Sequence, residues 1–481
     1  MPPTLGVVGA GTMGAGIAQL GVGAGMRTLL HDPVPAALEE GTERVRAGLA
    51  KWAERGRDAD GSLLSTAGSL EELARCELVI EAAPERFELK RDLFAELSRL
   101  APDAVLATNT SSIPVTSLAG AAARPERVVG MHFFNPPPLM RLVEVIAADQ
   151  TGAEALALAH RVGEQMGKRV IPARDGPGFL VNRCGRPFGA EALRLLQEGI
   201  ATHEQIDRIC RLGGGFRMGP FELMDLVGVD VGLEVAKSFT ELSFGEPRWR
   251  PSPIQARMVA AGRLGRKSGR GYYDYSEDDY RPADPEPLEP GGGGGRPLRV
   301  LGEGAVADGL RERARAAGFT LGEEGGTVID ARIDGVGGPA DLVLCASRSL
   351  GERARVGFHV LPPLGALVEL TGESDPRVED LFAALGFHRE WVGDAPGLVL
   401  GRIVAQLVNE AAFAVGEGVG SAEDVDAGLT LGLNHPRGLV EWSEAIGPER
   451  VLATIDGLWE ERREERYRAA PLLRSGRSLR G

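Results

Sequence analysis

Three features of the sequence predict a doubly wound α/β sheet followed by an all-helical domain, with both repeated in degenerate form further along the chain. A glycine-rich run, GVVGAGTMGAGIA at 6–18, stands between an apolar strand and a helical pattern. Short apolar runs then alternate with helical patterns to about residue 135, as in a parallel sheet with helices on both faces. Finally, residues 394–419 align without gaps to residues 175–200, and a repeat on this scale governs the reading of everything around it.

Residues 5–9, LGVVG, form the first strand, and the helix after the glycine turn runs to about Ala24. RTLLH at 27–31 is the second strand, ending at Asp32, and 34–55 has helical spacing of Ala, Leu, Glu and Arg. CELVIEAAPE at 76–85 is a strand running into a loop, KRDLFAELSRL at 90–100 a helix, and AVLATNTSS at 104–112 and RVVGMHFFN at 127–135 two more strands. Polar residues gather at the strand ends, where sheets of this kind bind ligands. From about residue 177 the pattern turns helical, with little strand signal through 265. RPADPEPLEPGGGGGRP at 281–297 has the composition of a linker, semi-rigid and then flexible.

Beyond the linker the chain repeats itself. Asp175 pairs with Asp394, Glu191 with Glu410, Glu198 with Glu417 and Asp207 with Asp426, and the register holds to Gly228 and Gly447. LRVLGEGAVADGL at 298–310 echoes the glycine turn with Gly302, Gly304 and Ala307, and GFHVLPPLGALVEL at 357–370 echoes GMHFFNPPPLMRLVEV. This copy keeps His359 and Glu369 two residues closer together, has no counterpart to Asn135, and carries Gly401 where the first copy has Asn182. The chain between is too short for a complete nucleotide domain, so the second half reads as structural. The expected domains are 1–176, a nucleotide-binding domain; 177–280, helical; 281–297, a linker; 298–390, a degenerate copy of the first; and 391–481, a second helical repeat.

The 481 residues suffice for several domains with sizeable cores, and 43% hydrophobic with 25% charged residues is ordinary for a globular protein. A net charge of -14 argues against nucleic-acid binding, which wants a basic face. Cys76, Cys184, Cys210 and Cys345 form no CxxC pair and no zinc-ligand spacing, so no metal is expected. Buried thiols in a reducing cytoplasm are the simpler account. No apolar run reaches the ~20 residues that span a bilayer, and no secretory leader pattern opens the chain. A cytoplasmic location without membrane partners is therefore expected. Trp391, Phe413 and Trp442 read as core, and the basic stretch 462–481 as a solvated, partly disordered tail.

Gly9, Gly11 and Gly14 form GxGxxG between strand and helix. The first permits the tight turn, the second lets backbone approach a pyrophosphate, and the third lets helix and strand pack closely, while the helix N-terminus supplies N–H donors. Gly9, Gly11, Thr12, Met13 and Gly14 are the expected cofactor-binding residues of this turn. Asp32, after the second strand, would bond the ribose hydroxyls and repel a 2′-phosphate, which favours NAD over NADP. His31 beside it reads as structural.

GMHFFNPPPLMRLVE at 130–144 sets a histidine, an asparagine and a glutamate in apolar sequence. Oxidation of a secondary alcohol needs a base for the hydroxyl proton while hydride leaves the same carbon. Histidine suits because its ordinary pKa is about 6.5, and a carboxylate on its other ring nitrogen fixes the tautomer. His132 and Glu144 meet if the chain turns at Pro136–Pro138 and returns as a strand.

These motifs resemble the 3-hydroxyacyl-CoA dehydrogenase family. GAGTMGAGIAQ, VIEAAPE, NTSSI, GMHFFNPPPLMRLVEVI, DGPGFLVNR, GGGFRMGPFELMDLVGVDVG and KSGRGYYDY run in the family's order to about residue 275. The resemblance implies a Rossmann-type domain followed by a helical one, with the active site in the cleft and NAD as cofactor. It implies that His132 is the base, that Glu144 pairs with it, and that Ser111 and Asn182 contact the substrate. Glu85 and Lys90 would lie by the nicotinamide ribose, and Asn109 and Asn135 would line the nicotinamide and substrate pocket. Lys51 falls where the family contacts CoA, though a solvent-exposed helix explains it equally.

Helical domains in this family commonly mediate dimerisation, so a homodimer and an internal pseudo-dimer both fit. The tandem arrangement is similar to long bacterial members, including those of aromatic-acid degradation that act on 3-hydroxyadipyl-CoA as well as those of fatty-acid oxidation. Arg186 and Arg217 are the candidates for reading a terminal carboxylate. The expected reaction is NAD-dependent oxidation of (3S)-3-hydroxyacyl-CoA to 3-oxoacyl-CoA. The alternatives are a dehydrogenase of a free hydroxy acid and a non-catalytic NAD-binding protein.

Overall fold

A computed structural model of the chain describes residues 2–322, 324–333, 335 and 340–480. They divide into two compact units, Met1–Arg183 with Gly418–Leu433, and Cys184–Glu417 with Asn434–Gly481.

The first unit is built on eight strands: β1 (Leu5–Val8), β2 (Thr28–His31), β3 (Leu64–Thr66), β4 (Leu78–Glu81), β5 (Val105–Thr108), β6 (Val128–Phe133), β7 (Leu142–Ala147) and β8 (Arg169–Arg174). Their order is β3-β2-β1-β4-β5-β6-β7-β8. Every neighbouring pair is parallel except β6 and β7. β1, β2, β4 and β5 are buried along their whole length, so they read as continuous apolar runs rather than alternating ones. Helices α1 (Thr12–Gly23), α2 (Pro35–Ala53), α3 (Phe87–Leu100), α4 (Val115–Ala119) and α5 (Ala153–Gln165) provide the crossovers. Val7, Ile17, Leu30, Leu78, Met131 and Val145 meet in one core.

A helix from the second repeat, Ala422–Gly432, also belongs to this unit. Ser421 caps it by accepting from the Asp424 N–H at 3.1 Å. A Cβ on Gly428 would lie 2.6 Å from Val181, and one on Gly432 2.9 Å from Leu142, so glycine is what lets this helix approach so closely. The Arg174 N–H bonds the Val419 carbonyl at 3.0 Å.

The second unit contains helices α6 (Val181–Gln197, begun in the first unit), α7 (His203–Gly214), α8 (Pro220–Val227), α9 (Val229–Leu242) and α10 (Pro253–Ala260). Thr202 and Gln205 form a reciprocal capping box at the start of α7, and Gly215 ends it in the left-handed region at φ 74°. Then comes a second sheet: β9 (Pro297–Leu301), β10 (Thr320–Leu321), β11 (Thr327–Asp330), β12 (Leu342–Leu344), β13 (Val356–His359), β14 (Leu367–Gly372) and β15 (His388–Trp391).

The order of this sheet, β10-β9-β11-β12-β13-β14-β15, reproduces that of the first without its β3 edge. Only β13 and β14 are antiparallel, as β6 and β7 are in the first. α11 (Ala305–Ala316) and α12 (Pro376–Ala384) stand where α1 and α5 do, and among the described residues no helix stands for α2, α3 or α4. The described part of the degenerate segment therefore keeps the sheet and loses three crossover helices and the edge strand beyond β10.

The second repeat continues with α13 (Leu400–Gly416), α14 (the Ala422–Gly432 helix), α15 (Leu439–Ile446), α16 (Pro448–Arg462) and α17 (Pro471–Arg474). The repeat is visible in backbone detail. Phe179 and Leu398, equivalent positions, both take left-handed φ values, 52° and 43°. Asp175 accepts from the amides of Val115 and Thr116, and Asp394 from those of Leu350 and Gly351. The Gly393 N–H bonds the Ile200 carbonyl at 2.6 Å, the counterpart of Arg174 and Val419.

Two compositional expectations change. The Pro/Gly stretch before β9 has no helix or strand but is tied down: Asp284 pairs with Arg211, Glu286 accepts from His388, and the Gly291 and Gly293 amides bond Ala384 and Ala317. The basic C-terminal stretch is packed, because Tyr467, Ala470 and Leu473 are buried. Arg402, fully buried, bonds the Tyr467 hydroxyl at 2.7 Å and pairs with Glu191 and Glu198. Phe413 and Trp442 are core residues, and Trp391 is half-buried with its indole N–H on Glu379. All four cysteines are buried, and none forms a disulfide among the described residues. Among the described residues no helix is long and apolar enough to cross a membrane, and no group of three or more His, Cys, Asp or Glu is disposed to hold a metal ion.

Candidate active site

The glycine turn closes as its spacing requires. Gly9 takes φ 100°, and a Cβ there would lie 2.6 Å from the Ala82 carbonyl oxygen. A Cβ on Gly14 would fall 1.7 Å from the Gly9 carbonyl oxygen, so only glycine lets α1 start this close to β1. The side of Gly11, by contrast, faces open space, and Thr12 beside it is exposed, with Met13 half-buried. Asp32 accepts from the Ala10 and Val34 amides, both at 2.9 Å, which fixes its carboxylate beside the turn. Free backbone N–H groups at a helix N-terminus next to a held carboxylate fit a dinucleotide, with pyrophosphate at the first and ribose at the second.

Antiparallel pairing sets His132 of β6 directly opposite Glu144 of β7. His132 Nδ1 lies 2.7 Å from Glu144 Oε2, and both residues are buried. The other Glu144 oxygen accepts from the Leu180 and Val181 amides, each at 3.0 Å, at the start of α6. This carboxylate is thus bonded through both oxygens, one of them at the N-terminus of α6. As acceptor the carboxylate receives a hydrogen bond from Nδ1–H, which leaves Nε2 as the accepting nitrogen of the ring. Nε2 lies 3.0 Å from Ser111 Oγ, which is exposed at the end of β5. Phe134 and Phe179 flank the imidazole, with ring centroids 4.7 and 5.6 Å away. Asn182, half-buried, is the second residue of α6 and so follows directly on the amides that Glu144 holds.

Glu85 accepts from Thr110 Oγ1, both the amide and Oγ of Ser112, and the Ser111 amide. Burial opposes its charge, but Lys90 and these donors outweigh burial and hold its carboxyl below the usual range. Lys90 is itself buried, 2.6 Å from Glu81 and 3.3 Å from Glu85. Its ammonium is occupied by protein groups and acts on Glu85 rather than at the surface. Glu81, fully buried and also bonded by Thr108, was missed in the sequence because it sits inside an apolar strand, where nothing marks it as polar machinery. Asn109 accepts from the Phe133 amide at 2.8 Å, locking β5 to β6 beside His132. Asn135 is exposed in the turn after β6. Lys51 is exposed in the last turn of α2 and is not among the side chains gathered around His132.

In the second unit, Arg217 is exposed. Arg186 lies 5.5 Å from the Phe239 ring, and its Nε is buried without a hydrogen-bond partner among the described residues. Burial, with Arg194 on the same helix, brings its guanidinium down to about 10.

The second sheet carries a copy of the His–Glu pair. His359 and Glu369 face each other across β13 and β14, with Nδ1 3.3 Å from Oε1, and Glu369 accepts from the Val399 and Leu400 amides. The cavity beside His359 measures only about 30 Å³ and is lined by apolar groups such as Val306, Leu344 and Ile446. At the second glycine turn, Arg450 donates to the Glu303 carbonyl at 2.8 Å and lies 3.4 Å from the Cβ position of Gly304. The turn geometry persists, but this chain's own arginine borders the place where the first turn is open.

The description "3-hydroxyacyl-CoA dehydrogenase, NAD binding domain" matches residues 4–176, and "3-hydroxyacyl-CoA dehydrogenase, C-terminal domain" matches residues 178–275 and 397–477. The chain is 35% identical to 3-hydroxyadipyl-CoA dehydrogenase of Escherichia coli (strain K12), covering 98% of this chain and 96% of that protein. It is 42% identical to a probable 3-hydroxybutyryl-CoA dehydrogenase of Deinococcus radiodurans, covering 56% of this chain and 99% of that one. The crystal structure of 3-hydroxybutyryl-CoA dehydrogenase from Escherichia coli K12 superposes with TM-score 0.80 at 33% identity, over 99% of this chain and 98% of that chain.

Proposed function

The chain belongs to the 3-hydroxyacyl-CoA dehydrogenase family, and from that premise we propose that it oxidises (3S)-3-hydroxyacyl-CoA thioesters to 3-oxoacyl-CoA with His132 as the base. The observation that carries this is the bracketing of one imidazole by Glu144 at Nδ1 and Ser111 at Nε2. NAD, when bound, accepts the hydride from C3. His132 Nε2 removes the 3-hydroxyl proton, and Ser111 Oγ orients that hydroxyl by hydrogen bonding. Glu144 holds the ring in place and stabilises the imidazolium that forms. Because Glu144 also holds the amides that open α6, the residue that orients the base also orients Asn182, proposed to contact the thioester carbonyl region. Glu85, fixed by Lys90, is the proposed nicotinamide-ribose ligand, with Asn109 and Asn135 lining the same pocket and Lys51 as a CoA phosphate contact.

The proposed substrate class includes dicarboxylyl-CoA esters. Arg186 stands four residues after Asn182 on α6, with its guanidinium 5.5 Å from the Phe239 ring. It has no carboxylate partner among the described residues, and a terminal substrate carboxylate would supply one. The two helical repeats act as an internal pseudo-dimer in this reading, supported by the equivalent backbone bonds of Arg174 to Val419 and Gly393 to Ile200. Four buried cysteines, none in a disulfide among the described residues, suit a cytoplasmic enzyme.

NADH formation with 3-hydroxybutyryl-CoA and 3-hydroxyadipyl-CoA tests the reaction. Turnover of either ester is expected, and none with both, alongside measurable NAD binding, overturns it.

A further inference from the structure

Lys168 lies between α5 and β8 and is buried, 8% exposed. Its Nζ donates to the carbonyls of Pro137 and Met140, each at 2.6 Å. No carboxylate accompanies it among the described residues. Burial, with Arg57 as the charge that bears on it, brings its ammonium down to about 8. A buried ammonium with only carbonyl partners costs stability that an apolar side chain of similar length would not. Its effect therefore has to be sought in the two carbonyls it holds.

Those carbonyls belong to the turn joining β6 to β7, whose pairing faces His132 with Glu144. The turn is closed on itself by the Leu139 and Met140 amides on the Pro136 carbonyl. Its other side abuts the cofactor helix: a Cβ on Gly16 of α1 would lie 3.0 Å from both Pro137 and Pro138. The Arg169 N–H bonds the Arg141 carbonyl at 2.8 Å, so the backbone next to Lys168 is anchored to the far end of the same turn. The turn is wedged between α1 and one ammonium group, and it carries Asn135.

We propose that Lys168 is a positioning residue for hydride transfer: it clamps the 136–140 turn against α1 and so sets where Asn135 and the His132–Glu144 pair stand relative to the cofactor. The proposal rests on the dehydrogenase reading above. Misplacement by about 1 Å at this distance from the chemistry is enough to cost ~10²-fold in rate.

The test compares wild type, Lys168→Met and Lys168→Arg by steady-state kinetics with 3-hydroxybutyryl-CoA and by NAD titration. Lys168→Met is expected to lower kcat by about tenfold or more while the Kd for NAD stays within about twofold, because the Gly9–Gly14 turn and Asp32 do not depend on the clamp. Lys168→Arg, which restores charge and donors, is expected to recover most of the lost kcat. Met and wild-type kcat values that agree within about twofold overturn the proposal. So does an equal loss in the Met and Arg variants, or a loss that lies wholly in NAD affinity. If Lys168→Met does not fold, Lys168→Gln, which keeps a donor without charge, replaces it under the same criteria. A wild type inactive with every ester overturns the dehydrogenase reading instead, and this proposal with it.

Discussion

A Cβ placed on Gly401 would fall 2.3 Å from the imidazole of His359. Gly401 is the equivalent of Asn182, so the second half cannot carry both that asparagine and its histidine in this position. The His–Glu pair survives there as a packed hydrogen bond with glycine in place of the neighbouring asparagine. The cavity left beside it, about 30 Å³, has room for about one water.

The two histidines should therefore differ completely under the same substitution. His132→Gln is expected to keep NAD affinity near wild type and to lower kcat by about 10² to 10⁴, the range for loss of a general base. His359→Gln should leave kcat within about twofold. Steady-state NADH formation with both variants checks this, and near-normal turnover of His132→Gln would sink the assignment of the base.

Cofactor stoichiometry should be one NAD per chain. Among the described residues the second turn has no helix equivalent to α2, and Arg450 borders Gly304. Isothermal titration should give a single site. Asp32→Ala should weaken NAD by roughly ten- to a hundredfold, as expected for charge-assisted hydrogen bonds worth about 1.5–3 kcal/mol, and should reduce the preference over NADP. Two equivalent sites would contradict the structural reading of the second half.

Arg186→Met should separate substrates. Losing a buried guanidinium that pairs a terminal carboxylate should raise KM or lower kcat/KM for 3-hydroxyadipyl-CoA by about tenfold or more, with 3-hydroxybutyryl-CoA changed little. Equal effects on both esters would assign Arg186 to packing alone.

The buried Arg402 should be a stability determinant. Replacing it by Met removes the cation that Glu191 and Glu198 share and leaves them the longer contacts with Arg194 and Arg462, and breaking a buried pair this way costs about 3–5 kcal/mol. Tyr467→Phe, which removes only a hydroxyl from the same cluster, should cost about 1 kcal/mol. Denaturant titration measures both, and an Arg402→Met variant as stable as wild type would show that the cluster is not the constraint its burial implies.

Some of this architecture is written locally and could be read from the chain. GxGxxG and Asp32 are legible because each glycine answers a short-range steric demand: Gly9 needs positive φ and Gly14 has no room for a Cβ. His132 and Glu144 are legible because two strands and a short turn bring them together with only local chain between. The duplication is legible because matched residues repeat in register, and Phe179 and Leu398 keep the same unusual backbone.

What the sequence by itself determined, then, is the cofactor turn, the His–Glu hairpin and the doubling of the helical repeat, all of them consequences of local sterics or residue identity. Only the tertiary structure decided the rest. The second sheet reproduces the strand order of the first through strands as short as two residues, too brief for any periodic signal. Lys90 turns inward to Glu81, Lys168 turns inward to two carbonyls, and the basic tail folds back so that Tyr467 meets Arg402. In each case a polar side chain, solvated by default, is buried because partners brought up by the fold satisfy it, and no motif or spacing in the chain marks those pairings.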